Sequence, residues 1–275
     1  MKLALISLAS LMLIATATAQ VPAWSQDFHF GPLLPDEAID IGVDANGNVY
    51  SAGTKGLNKD ILVVSYTPTG TQRWATAYNG PGNKNDTPVE IAVDANGDVF
   101  LVGMAWEDAN TYGMITQKYN GATGALLWTQ FHKYDDGMFG LVPCLAKGIT
   151  LGPDGVLYAC GAASIFNEFY DAYVVRQNRA TGAIENTLVY GTTMVPAANQ
   201  IAEDIAFNGT DGVFVGGSSA DNQHPYSSDG SDMFITRLSP TLTEVWTNTY
   251  DGYARRDVAR NIGVRGNDVF VFGNA

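Results

Sequence analysis

The sequence predicts an all-β fold: a β-propeller of four-stranded antiparallel blades, with about four complete blades and part of a fifth. Three observations predict it. A short hairpin motif recurs five times, its closing glycines Gly53, Gly103, Gly161, Gly217 and Gly273 spaced by 50, 58, 56 and 56 residues. The first four copies are each followed by two further apolar runs divided by a turn. Outside the first twenty residues no stretch keeps a helical period. A long period carried by strands marks a propeller or a stacked β array.

The best-formed hairpin is Ile91 to Gly103, IAVDANGDVFLVG. Its relatives are IGVDANGNVYSAG ending at Gly53, ITLGPDGVLYACG at Gly161, IAFNGTDGVFVGG at Gly217 and IGVRGNDVFVFG at Gly273. Ile91, Val93, Val99 and Leu101 alternate, as strand residues with one buried face do. The Asp-Ala-Asn-Gly-Asp segment between them tolerates positive φ and bonds to its own backbone, so the chain reverses there.

The third and fourth strands follow in order. In the first repeat they are Asp60 to Tyr66 and Gln72 to Tyr78, joined by Thr67-Pro68-Thr69-Gly70. The second gives Tyr112 to Tyr119 and Leu126 to Phe131, the third Asp171 to Gln177 and Ile184 to Tyr190, the fourth Asp232 to Leu238 and Glu244 to Tyr250. Trp74, Trp128 and Trp246 occupy the same place in three fourth strands, and Asn186 takes it in the other. Trp24 precedes Trp74 by the same 50 residues that separate the first two glycines, so Pro22 to Ser25 reads as a leading fourth strand. The fifth repeat stops at Ala275, after its hairpin. An open hairpin edge invites aggregation, so a fragment of a larger propeller of roughly seven or eight blades is expected over a five-bladed ring.

The 275 residues, 46% of them hydrophobic, suffice for one continuous domain over 20–275, with repeats starting near residues 36, 86, 144, 200 and 257. The first nineteen residues carry Lys2, an apolar run from Leu3 to Ala15 and Ala17-Thr18-Ala19. They read as a secretory signal peptide, which predicts export to a periplasm, a cell surface or the medium. No later segment is apolar and long enough to span a bilayer. The formal charge of −13 argues against nucleic acid and anionic membrane surfaces as partners. Cys144 and Cys160 fall in one repeat, and an oxidising compartment allows a disulfide between them. Ideal register about Pro153-Asp154 pairs Cys160 with Lys147 instead, so the bond requires a bulge.

The repeats resemble the bacterial SBBP, or β-propeller repeat, family, whose units read approximately Ala-Ile-Ala-Val-Asp-x-x-Gly-Asn-Val-Tyr-Val-x-Gly. Ile41 to Gly53 and Ile91 to Gly103 match that pattern closely. The chain is also similar to quinoprotein-like (PQQ-like) propellers through Thr-Gly-x-x-x-Trp at Thr69 to Trp74 and Thr123 to Trp128, where the tryptophan docks on the neighbouring blade. The resemblance implies an exported or surface scaffold, often joined to a sorting or adhesive domain. The tryptophan motif is structural in its family and implies no chemistry.

Propeller geometry puts the loops between second and third strands on one face, where ligands usually sit. Those loops display Trp106, Phe166, Phe169, Tyr170, His224 and Tyr226. The rings either stack on a sugar or a protein partner or fold back over blade edges. Asp36, Asp86 and Asp257 lie five residues before a leading isoleucine, beside the central channel on the same face. A ring of such oxygens would suit calcium, while single aspartates at strand starts commonly accept backbone hydrogen bonds. Asp44, Asn46 and Asn48, with Asp94, Asn96 and Asp98, imitate a calcium loop that lacks its closing glutamate, and they read as turns. No other metal or cofactor is expected.

His29, His132 and His224 stand in no serine-elbow or metal-pair spacing, and no phosphate-binding glycine loop opens a helix. The reading is a scaffold that binds protein or carbohydrate, without evident catalysis. The alternative is a polysaccharide-processing hydrolase or lyase that uses loop-face carboxylates such as Asp86 and Glu107. Propeller active sites are scattered across loops and leave no local motif.

Overall fold

The computed structural model describes residues 24–26, 36–57, 59–135, 140–153, 155–165, 168–190, 199–210, 212–220, 231–252, 257–266 and 268–274. The signal segment, with its cleavage point, lies outside them.

The described residues are all-β and fall into antiparallel sheets in chain order. The first sheet holds β1 (Glu37–Val43), β2 (Val49–Lys55), β3 (Asp60–Tyr66) and β4 (Gln72–Tyr78). The second holds β5 (Thr87–Val93), β6 (Val99–Trp106), β7 (Tyr112–Tyr119) and β8 (Leu126–Phe131). The third begins with the short β9 (Lys133–Asp135), then β10 (Leu141–Leu151), β11 (Val156–Ile165), β12 (Glu168–Asn178) and β13 (Ile184–Tyr190). The fourth holds β14 (Gln200–Phe207), β15 (Val213–Ala220), β16 (Ser231–Leu238) and β17 (Glu244–Tyr250), and a hairpin of β18 (Val258–Arg265) and β19 (Asp268–Asn274) follows. The third sheet is thus one strand wider than its repeat predicts: β9 pairs with Leu141 to Pro143 at the start of an extended β10.

The first strands β1, β5, β10, β14 and β18 pack side by side in sequence, and each fourth strand lies on the opposite edge of its sheet. The sheets therefore fan out from a shared inner line, as propeller blades do.

A repeated irregularity organises that line. Each first strand slips register by one residue, at Ile39, Val89, Lys147, Glu203 and Arg260. A bulge of this kind leaves one residue out of the ladder and re-aims its neighbours. The next residue is Asp40, Glu90, Gly148, Asp204 and Asn261 in turn. Asp40 accepts the backbone N–H of Ile91 in the next sheet at 2.8 Å, Glu90 that of Ile149 at 2.8 Å, and Asp204 that of Ile262 at 2.6 Å. The carboxylates thereby satisfy amides that face away from their own ladder, each joining one blade to its successor. Gly148 has no side chain to do this, and Ile205 N–H turns to Oδ1 of its own neighbour Asp204 at 2.7 Å.

At the outer edge, tryptophans join the blades. The indole N–H of Trp24, Trp74 and Trp128 donates to the carbonyls of Pro68, Gly121 and Arg179, all in the next blade's third turn. Those turns place Gly70, Gly124 and Gly182 at positive φ under the ring. A Cβ at Gly124 would lie 2.6 Å from Trp74, so glycine is required for contact as well as for backbone conformation.

Apolar side chains fill the spaces between sheets. Tyr50, Ala52 and Val63 meet Ile91, Val99 and Leu101; Phe100, Val102 and Met114 meet Ile149, Leu157 and Ala159; Tyr158 and Val174 meet Ile205, Val213 and Val215. The disulfide that an oxidising compartment would allow is not formed. Cys144 pairs with Ala163 and Cys160 with Gly148 despite the bulge between them. Their side chains enter different layers, Cys144 between the second and third sheets and Cys160 between the third and fourth, and both are buried free thiols.

Candidate functional site

The loops that leave the second strands meet the links between blades at one end of the sheets, and Asp86 is the knot between them. It is fully buried and accepts Gly80 N–H at 2.5 Å and Trp106 N–H at 3.0 Å. Its own N–H donates to Lys59 of the first blade. Burial pushes its carboxyl above the usual range against the pull of those two donors. Asp257 repeats the contact with Gly252 N–H at 2.5 Å, and Asp36 the other with Gly56 N–H at 3.4 Å. Asp86 thus braces a link to a loop, and Asp257 and Asp36 each repeat one of its two contacts. Among the described residues no group of three or more His, Cys, Asp and Glu side chains is placed to hold a metal ion.

Trp106 is half-buried at this face. Its ring lies 5.0 Å from that of Tyr112, with the Lys84 ammonium 3.9 Å above its centroid. Lys84 also reaches the carbonyl of Ala109, and Trp106 accepts Gly82 N–H at 2.8 Å. The following loop winds around Asp108, which accepts Asn110 and Thr111 N–H and is held below the ordinary carboxylate range chiefly by the first of these bonds. Glu107 pairs with Lys133 at 2.5 Å. The result is a surface cluster of two aromatic rings, two ammonium groups and two carboxylates.

The remaining aromatic candidates are not brought to it by anything described. Tyr170 is half-buried at the start of β12. Phe166, His224, Tyr226 and the side chain of Phe169 lie outside the described residues. The calcium-loop look-alikes are turns: Asp44 Oδ1 accepts Asn46 and Asn48 N–H, and Asp94 Oδ1 accepts Asn96 and Asp98 N–H.

Two polar arrangements escape a motif-based reading. One is the row of inner carboxylates Asp40, Glu90 and Asp204. The signal was present in the residue just before each leading isoleucine, which is acidic in three of five repeats. Glu90 is pushed up to about 8, mainly by burial, with Asp204 and Asp40 adding repulsion. The other is a buried network between the second and third blades. His132 bonds to Thr116 at 2.9 Å and lies 3.5 Å from the Tyr173 hydroxyl, while Thr116 donates to Gln177 at 3.0 Å. Burial lowers His132 to about 3, so the ring is neutral.

No family model and no curated protein matches this chain. Solved structures do. A quinohemoprotein alcohol dehydrogenase from Comamonas testosteroni superposes with TM-score 0.55 at 13% identity, over 84% of this chain and 39% of the dehydrogenase, so the chain spans about two-fifths of that protein. A protein of unknown function from Dyadobacter fermentans gives 0.52 at 11% identity, over 82% and 71%. A thermostable family-43 glycoside hydrolase gives 0.51 at 11%, over 86% and 83%. Such likenesses place the chain in the propeller class and bear on fold alone.

Proposed function

We propose that this chain is an exported or cell-surface β-propeller repeat scaffold, of the SBBP kind, that binds a carbohydrate or protein partner on the face carrying the second-to-third loops. One observation carries the reading. The carboxylates a catalytic site would use there are engaged internally, Asp86 by two backbone amides and Glu107 by Lys133, whereas Trp106 and Tyr112 bring aromatic carbon to the same face. Carboxylates spent on bracing favour a rigid frame, and paired rings beside polar groups suit stacking against a sugar or a protein side chain.

A glycan array and a hydrolase and lyase screen on one purified preparation test it. Binding is expected to survive in Glu107→Gln and to fall at least about tenfold in Trp106→Ala, a loss in the range of a binding hot spot. Turnover of any polysaccharide that disappears in Glu107→Gln or Asp86→Asn overturns the scaffold reading in favour of a polysaccharide-processing enzyme.

A further inference from the structure

Trp106 already carries a cation. The Lys84 ammonium stands 3.9 Å from the centroid of its ring, and among the described residues no carboxylate forms an ion pair with Lys84. An exposed ammonium with water at hand rests instead on the negative face of an indole, the aromatic ring that holds cations best. It also donates to the carbonyl of Ala109 at 2.5 Å.

The ring is held ready. Trp106 donates its backbone N–H to Asp86 at 3.0 Å and accepts Gly82 N–H at 2.8 Å. An added Cβ at Gly82 would lie 2.5 Å from the Trp106 Cβ, so the link presses against the base of the side chain. Two carboxylates follow it in sequence. Glu107 pairs with Lys133 at 2.5 Å, and the exposed Asp108 is fixed by the N–H groups of Asn110 and Thr111. Both lysines come from outside the loop, Lys84 from the link ahead of β5 and Lys133 from β9. The loop from Trp106 to Thr111 thus presents one ring and two acids to cations brought from elsewhere in the chain.

That pattern separates the partners this face can take. A neutral sugar needs the ring face that Lys84 covers and has no charge to replace the one it displaces. An acidic sugar meets both carboxylates and the chain's formal charge of −13. A lysine or arginine side chain replaces like with like, and the same charge draws it in.

We propose, on the reading that this face binds a partner, that the partner is a basic protein segment. One of its lysine or arginine side chains displaces Lys84 and stacks on Trp106, beside the carboxylates of Glu107 and Asp108. Lys84 is an internal stand-in that keeps the ring covered until a partner's cation arrives. Added salt weakens the contact by screening.

NMR of the indole N–H signals, during titration with a short peptide holding one trimethyllysine, tests the proposal. The Trp106 signal, identified by its loss in Trp106→Phe, is expected to move with this peptide. It is expected to stay still with the same peptide carrying a neutral carbon in place of the charged nitrogen. Lys84→Ala uncovers the ring and is expected to tighten binding about two- to fivefold, the range of an exposed cation–ring contact. Lys84→Arg keeps a cation there and should bind as the wild type does. Equal shifts from the neutral peptide, or unchanged or weaker binding in a Lys84→Ala protein with an unaltered circular dichroism spectrum, overturn the proposal. A signal moved by neutral oligosaccharides alone overturns the basic partner and leaves the binding face standing. No shift from any probe also overturns the proposal, and the binding reading falls with it only if the glycan array is blank too.

Discussion

The side-chain amide of Asn186 donates to the carbonyl of Thr241 at 2.7 Å, where three other blades send a tryptophan or its indole N–H to the same turn. The residue after Thr241 is Leu242, which holds φ +63 where the other turns have Gly70, Gly124 and Gly182. Its side chain is 4% exposed, sunk in the layer between the third and fourth sheets. A side chain at that position fills the space an indole would need, and the shorter asparagine keeps the hydrogen bond without the ring.

Exchange of the pair is therefore expected to be coupled. Asn186→Trp alone crowds Leu242 and destabilises by about 1–3 kcal/mol, as overpacking does. Leu242→Gly alone loses a buried side chain, a cost of about 2–4 kcal/mol reduced by relief of the positive φ. Urea unfolding of the double variant is expected to recover about 1–3 kcal/mol relative to the sum of the single changes. Simple additivity would mean the two positions do not share the site.

Asp86→Ala leaves the N–H groups of Gly80 and Trp106 without their acceptor in a buried place. The expected loss is about 2–5 kcal/mol, with early hydrogen exchange at both amides. Unchanged protection at Gly80 would show that the link is held by something else.

Stability is expected to be highest over a band of mildly acid pH. His132 is held neutral by burial, its folded value of about 3 lying below the unfolded 6.5. The unfolded chain takes up the proton first, so stability falls as pH drops below 6.5, by roughly 2 kcal/mol at pH 5 if His132 acts alone. Glu90 works in the opposite sense. Its folded value of about 8 lies above the unfolded 4.5, so the stability it lends is complete below pH 4.5 and is lost as pH rises through 8. Between 4.5 and 6.5 the two slopes oppose each other. Thermal melts across pH are expected to show a shoulder above pH 6.5 that is absent in Glu90→Gln, and a shoulder that persists in that variant would assign it elsewhere.

Both thiols are expected to be silent in the native protein. Burial pushes Cys144 up to about 12 and Cys160 well above the ordinary thiol range. Titration with a disulfide reagent should find no reactive thiol before denaturation and two after it. A single slow adduct would locate local opening in the third blade.

Much of the architecture was legible in the residues. The alternation from Ile91 to Gly103 fixes a hairpin, and its fivefold return fixes the array, because a strand pattern repeated at one interval has few ways to bury its faces. The tryptophan at Trp74 and Trp128 announced contacts between blades, and the gap at Asn186 was visible, although its reason lies in Leu242 of the next repeat. The third sheet's extra strand was not legible, since three residues around Tyr134 carry too little pattern to separate a strand from a link. Cys144 and Cys160 left their pairing open for a related cause: spacing along a hairpin shows nearness, whereas the layer a thiol enters depends on register. The loop-face residues were the least legible, because Trp106 and Asp86 owe their roles to partners such as Lys84 and Gly80 that no local motif links to them.

The glycine at position 148 also bears on how the protein would break. The seam between the third and fourth sheets lacks the carboxylate that clasps the other inner joints and lacks the indole that locks the outer ones. An ion pair between Lys147 and Glu203 at 2.8 Å spans it, beside the bonds from the Asn186 amide to Thr241 and from the Tyr158 hydroxyl to Pro240. Ion pairs reaching solvent weaken as salt rises, and the next joint, which also carries one between Arg260 and Glu203 at 3.6 Å, keeps its Asp204 clasp beside it. Stretched between its ends in a concentrated electrolyte, the array should part there first, into a portion of three blades and a portion built on the fourth.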